Sequence, residues 1–485
     1  MSQAGSIKNH ILASRRAFLG STIALPAILT GAKATTAQIP EGRSFGILAA
    51  VDDGGASVSL NDPASGDQLA RFDIGPRPNA AWATPVPGIA LVRTETSIAI
   101  ADANVETARP IPVPETVAPN LAPTGIQFRG SAGYERILIG TPNFDANTFL
   151  VDLLTGERMA VIGLLGADHP PVSLQNVAVA ADDRRLLAWD GRTTWIVDIG
   201  SRASHVIGSG QFTFSAGFNS DGSAIAYSQQ MADGSTQLLL QNSDGSGERL
   251  LGERLDAILV SLWIPARDLL LLDERTDEGG ALSVLDPATG ASEDLLEYAG
   301  ATNIVQFSPD GEFALVGIEG GQGRDWYRIR LSLTTPSARM LAGLGDAVVH
   351  PGFDFHAAWA LALPAADESA ATTVKAIDLA SGAVSPLFTG ITSDAALSGQ
   401  VVAPSGNAAL LTVDSFTELA VHYLRLDQPN DVSVSLMKGG TGVIAPDGSG
   451  FAVAHDLNTG GTATVVYDQT GAEGATFPGE ALAWI

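Results

Sequence analysis

Asp286-Pro287-Ala288-Thr289-Gly290 is a turn phrase that returns along almost the whole chain. Its other copies read Asp62-Pro63-Ala64-Ser65-Gly66, Asp152-Leu153-Leu154-Thr155-Gly156, Asp198-Ile199-Gly200-Ser201, Asp378-Leu379-Ala380-Ser381-Gly382 and Asp468-Gln469-Thr470-Gly471. In chain order the leading aspartates are 90, 46, 88, 92 and 90 residues apart, so one unit of about 45 residues fits every step, counted once or twice. Apolar alternating runs flank each copy, and this period is the length of a four-stranded propeller blade.

A second phrase recurs in another phase of the same unit. Asn219-Ser220-Asp221-Gly222, Ser308-Pro309-Asp310-Gly311, Ala403-Pro404-Ser405-Gly406 and Ala445-Pro446-Asp447-Gly448 each precede a short β-prone run, and Ala181-Asp182-Asp183 reads as a degenerate copy. Pro fixes φ, Asp bonds its own backbone ahead, and Gly accepts positive φ, which together make a tight connection between strands. Each unit therefore reads as strand, first turn, strand, loop, strand, D-x-x-T-G-type turn, strand. The pattern resembles the TolB-like and WD40-like propeller repeats, often called PD40 repeats, over nearly all of the chain after residue 45. The resemblance implies an all-β propeller of four-stranded antiparallel blades and is silent on activity.

Nine units begin near Asn79, Asn120, Val172, Phe212, Asp256, Ala301, Asp346, Ala395 and Thr441. The stretch from Phe45 to Ile74 holds about three strands, and Ala481-Leu482-Ala483-Trp484-Ile485 is placed to supply a fourth and close the ring. Closure removes strand edges that would template aggregation. The expectation is seven to ten blades across a domain 38–485, with one ring or two left open.

Residues 1–37 read as an address rather than as fold. Ser14-Arg15-Arg16-Ala17-Phe18-Leu19-Gly20 resembles the twin-arginine export signal, with Arg15, Arg16, Phe18 and Leu19 as its motif. An apolar stretch to Leu29 follows, then Ala32-Lys33-Ala34 and Ala37-Gln38, so cleavage is expected after Ala34 or Ala37. The resemblance implies a periplasmic protein that crosses the membrane already folded.

The chain has no cysteine, which excludes disulfides, thiolate metal sites, c-type haem attachment and cysteine nucleophiles. It carries 53 acidic against 27 basic residues, and Lys8, Arg15, Arg16 and Lys33 of those 27 lie in the leader. Such a surface repels nucleic acid and anionic lipid and attracts cations or a basic partner. No apolar run after the leader is long enough to span a bilayer.

Candidate chemistry is sparse. Neither a G-x-S-x-G elbow nor a phosphate-binding G-x-x-x-x-G-K-[ST] loop is present, and catalytic residues are assigned to none of the positions. His350, Asp354 and His356 lie close together in sequence and form half of a possible channel-mouth or metal site, to be completed by His169 or His455; a turn histidine bonded to backbone is the competing account. Acidic turns such as Asp52-Asp53-Gly54-Gly55 offer oxygen ligands for Ca²⁺ but match no EF-hand loop, and β-turns need Asp and Gly in any case. The Gly-rich segment Glu319 to Arg328 packs charge beside aromatics, so Arg324, Trp326 and Tyr327 are read as a contact loop or a long hairpin tip. No cofactor is expected.

Two functions follow. One is a periplasmic propeller without chemistry of its own, a binding platform for another periplasmic protein or a small ligand. The other is a propeller enzyme of lactonase, lyase or dehydrogenase-subunit type, or a metal or cofactor carrier, with its site at the channel mouth.

Overall fold

The computed structural model describes residues 46–50, 57–75, 78–84, 86, 88–113, 117–118, 121–123, 136–140, 147–166, 174–180, 184–208, 211–320, 323–345, 347–350, 358–363, 372–391, 396–403, 405–414, 419–429, 434–437, 440, 442–457 and 461–485. Its strands form ten four-stranded antiparallel sheets, the blades of one propeller ring. Blade 1 joins Ile47–Ala50, Ser57–Asn61 and Gln68–Asp73 to the last strand of the chain, Glu480–Trp484. Blades 2 to 10 then follow in order, beginning at Pro78, Ala122, Asn176, Phe212, Ile258, Ala301, Val348, Ala396 and Gly442. Each start lies within four residues of the unit start read from the repeat. Within blades 2 to 10 the chain runs from the inner strand outward, so the strand order is the sequence order, while in blade 1 the terminal strand takes the inner place.

The recurring phrases occupy the turns that their chemistry suits. In blades 1, 3, 6, 8 and 10 the D-x-x-T-G phrase joins the third strand to the outer one. Oδ1 of the leading aspartate accepts from the backbone N–H two residues on, at 2.8 Å in Asp62, Asp286 and Asp378. The glycine donates back to the aspartate carbonyl and takes φ between 72° and 81°, a region open to Gly at little cost. Blades 2 and 4 place Glu106 (φ 52°) and Arg202 (φ 58°) at the corresponding position. The first turn, between the inner and second strands, holds Asn219 to Gly222, Ser308 to Gly311 and Ala445 to Gly448. The copy at 181–183 lies outside the described residues.

Packing runs between blades, because each sheet is covered on both faces by its neighbours. One apolar cluster joins Leu361, Val374 and Ala376 of blade 8 to Ala409, Leu411 and Leu424 of blade 9, and another joins Tyr423 of blade 9 to Phe451 and Tyr467 of blade 10. Small residues let inner strands approach: Ser215, Ala216 and Gly217 of blade 5 lie along the inner strand of blade 6, where Trp263 Nε1 donates to the Gly217 carbonyl at 3.0 Å.

Closure is made by the terminal strand. Ile47 pairs with Trp484 and Leu48 with Ala483, while the strand also packs against the inner strands of blades 2 and 10. Ala481, Ala483, Trp484 and Ile485 are buried there. Deleting residues 480–485 removes apolar burial worth roughly 3–6 kcal/mol for the two large side chains and bares one edge of Ile47–Ala50. Urea unfolding followed by tryptophan fluorescence is expected to show most of the stability gone, with aggregation from the open edge; an unchanged midpoint would contradict a closed ring.

Candidate functional site

Antiparallel order places the first and third turns of all blades on one face of the ring, the turn face. The second hairpins and the links between blades lie on the other, the loop face. Polar side chains on the two faces do different things.

On the turn face, arginines cross from one blade to the next. Arg109 of blade 2 donates to the Leu153 carbonyl (2.9 Å) and the Leu154 carbonyl of the third turn of blade 3. Arg249 of blade 5 donates to the Pro287 carbonyl of blade 6, and Arg328 of blade 7 to the Leu379 and Ala380 carbonyls of blade 8. Arg425 of blade 9 reaches the Gln469 amide oxygen of blade 10 at 2.6 Å. In all four cases the acceptor is the first or second residue after the leading aspartate of the repeat. The carboxyls of Asp286 and Asp468 are held below the usual carboxylate range, first by the hydroxyls of Thr289 and Thr470 and then by backbone N–H groups. These aspartates are turn formers, occupied with their own backbone.

Nearer the axis, hydroxyls tie the seams. Thr236 Oγ1 donates to the Ala257 carbonyl (2.7 Å) ahead of the inner strand of blade 6. Thr464 Oγ1 donates to the Gly479 carbonyl (2.7 Å) and accepts from the Ala481 N–H (3.0 Å) of the closing strand. Ser215 Oγ meets Ser228 Oγ (2.8 Å) and accepts from the Ser261 N–H (2.9 Å).

The densest polar knot lies between blades 6 and 7. Asp273 is 1 % exposed, on the second strand of blade 6. Its carboxylate accepts from Tyr298 Oη (2.5 Å), Thr302 Oγ1 (2.5 Å) and Arg275 Nε (2.6 Å). Gly280 makes room for it, since a Cβ there would fall 2.3 Å from Tyr298 Oη. Burial, then the Asp273 charge, pushes the Tyr298 phenol well above the ordinary tyrosine range; burial and Glu248 do the same to Tyr227, which donates to Glu248 Oε2 at 2.6 Å.

The loop face of blades 5 to 7 is acidic. Asp233, Glu253, Asp256, Asp277, Glu278 and Asp325 are exposed on it. Its arginines are already paired: Arg254 with Glu274 at 2.7 Å, Arg275 with Asp273 at 2.5 Å, and Arg324 with Glu319.

The residues singled out from sequence are placed as follows. Arg15, Arg16, Phe18 and Leu19 lie outside the described residues, as do Asp354 and His356. His350 ends the inner strand of blade 8, and the second strand of that blade begins at Trp359. Arg324, Trp326 and Tyr327 are on the third strand of blade 7, just past its second hairpin. Trp326 is 1 % exposed and packs with Val305, Leu315 and Leu341, with the Arg324 guanidinium 5.5 Å from its ring centre. Among the described residues no group of three or more His, Asp or Glu side chains is placed to hold a metal. The inter-blade arginines, the hydroxyl ties and the Asp273 knot were missed by sequence reasoning. Arginine recurring within third and outer strands was the one visible trace.

No family model and no curated protein matches the chain. Among solved structures, an oligogalacturonate lyase in complex with manganese aligns at 13% identity and a TM-score of 0.38, covering 60% of this chain and 86% of the lyase. A eukaryotic initiation factor aligns at 10% and 0.48, covering 81% of this chain and 98% of its own. A putative TolB from Agrobacterium tumefaciens aligns at 17% and 0.33, covering 45% of this chain and 83% of its own. At these values no activity passes from them to this chain.

Removing one side of a buried, hydrogen-bonded ion pair strands its partners, so Asp273→Ala is expected to cost about 3–5 kcal/mol; a urea midpoint within error of the parent would refute the knot. For the phenols, a folded-state pKa raised above the ordinary value means that their stabilisation is present below about pH 10 and is lost as pH climbs past it. Absorbance at 295 nm during alkaline titration should therefore show Tyr227 and Tyr298 ionising together with the loss of fold, and free titration near pH 10 in the folded chain would disprove their burial.

Proposed function

We propose that this chain is an exported, periplasmic propeller that works as a binding platform without chemistry of its own, engaging a basic protein or a cationic small ligand. One observation carries the reading: the loop face of blades 5 to 7 exposes Asp256, Asp277, Glu278 and Asp325, while the arginines around them are paired within the protein. A face with an uncompensated negative field speeds encounter with positive partners and selects against negative ones. The rest of the polar inventory supports it, since aspartates and arginines on the turn face are occupied in forming turns and joining blades. The leader motif Arg15-Arg16-Ala17-Phe18-Leu19 supports export of the folded ring. No helix among the described residues is long and apolar enough to cross a membrane.

The test is native mass spectrometry of the untagged protein isolated from its own periplasm at low salt, compared with its denatured mass. Added mass from a partner is expected, together with its loss in the triple variant D256K/D277K/E278K. Substrate turnover by the purified monomer, or equal partner mass in the triple variant, would overturn the reading.

A further inference from the structure

The alternation of strand Leu419–Arg425 in blade 9 sends Val421 and Tyr423 toward blade 10 and Ala420, His422 and Leu424 toward blade 8. A histidine therefore occupies an apolar position in a seam otherwise built from Leu361, Val374, Leu411 and Leu424. His422 is 6 % exposed. Its ring stands 4.3 Å from that of Phe388 on the outer strand of blade 8, and Nδ1 shares a hydrogen bond of 2.8 Å with Ser435 Oγ on the outer strand of its own blade. One face is thus held by an aromatic across the seam and one nitrogen by a hydroxyl within the blade.

The charges on the surrounding elements are directed elsewhere. On the third strand of blade 8, Lys375 donates to the Gly343 carbonyl and Asp378 holds the N–H groups of its own turn. The outer strands of blades 8 and 9, Val384–Ile391 and Val434–Met437, carry no ionisable residue, and the second strand of blade 9, Ala408–Asp414, carries one, its last. On the strand of His422 itself, Tyr423 faces the other seam and Arg425 is paired with Asp427 at 2.7 Å.

We propose that the seam between blades 8 and 9 is an acid-sensitive joint, closed while the His422 imidazole is neutral and loosened when it takes up a proton. Imidazolium has two N–H donors and a full charge, and the site supplies one hydroxyl and an aromatic ring. Burial alone lowers the pKa of His422 from its ordinary value. The sign follows from linkage. The unfolded or opened chain binds the proton more readily, so the stabilisation is complete above about pH 6.5 and is lost as pH falls through the depressed value. The joint lies away from the closing strand, so acid is expected to part blades 8 and 9 while blade 1 stays zipped. The proposal concerns the ring itself and stands whether or not the binding reading holds.

The experiment is hydrogen–deuterium exchange on the full chain at about pH 7.5 and about pH 5, with rates corrected for the intrinsic effect of pH on amide exchange. Peptides covering residues 384–391 and 419–437 are expected to exchange roughly tenfold faster at the lower pH for each unit by which the pKa is depressed and crossed. Peptides of blades 5 and 6 should change far less. In His422→Phe, which keeps the ring contact and cannot titrate, the acid increment at the seam should vanish. His422→Asn keeps a partner for Ser435 and carries the same test if the Phe variant folds poorly. An equal acid increment in both variants, or none in the parent protein, would overturn the proposal.

Discussion

Everything in this ring depends on one pairing, that of Ile47–Ala50 with Glu480–Trp484. A blade cannot bury its own faces; it borrows a neighbour for each, and a row of ten would end in two uncovered sheets. The register Ile47 to Trp484 and Leu48 to Ala483 makes the first and last segments one sheet, so every blade gains two neighbours. The Thr464 hydroxyl, bonded on both sides of Gly479–Ala481, aims the terminal strand into that sheet. Disruption here is therefore global, whereas loss of a single seam contact is local.

The contacts between blades divide by depth. Near the axis, the Ser215 hydroxyl bridges inner strands that small residues allow to come close, and Thr236 on the third strand of blade 5 ties the lead into the inner strand of blade 6. At mid-depth, aliphatic and aromatic clusters fill the wedge. At the rim of the turn face, arginine spans the widening gap, since its long planar fork reaches carbonyls on the next blade. The loop face lacks the repeated turns, so its connections differ from blade to blade.

The fold was legible in sequence because its signals are local. A turn such as Asp286 to Gly290 is specified by five adjacent residues, and its bonds stay inside them. Nine unit starts and the closing role of residues 481–485 follow from that period, while the count of ten and the single ring needed the structure. The seams were not legible, because Arg249 and Pro287, or Thr302 and Asp273, are tens of residues apart and no local rule links them. Trp326 shows the same limit: beside Arg324 and a glycine-rich tip it reads as a surface aromatic, yet alternation along its strand turns it into the seam with blade 8. The acidic character was plain from composition, but which acids share the loop face of blades 5 to 7 needed the ring.

The rim arginines have a further consequence. Their acceptors across each seam are neutral oxygens of backbone or amide, so neither dissolved salt nor acid removes the partner. Screening weakens attraction between exposed ions, but a guanidinium lodged on a carbonyl keeps most of its bond. The rim contacts thus tolerate salt and acid alike, and brine strong enough to screen the exposed carboxylates would leave the frame beneath them intact.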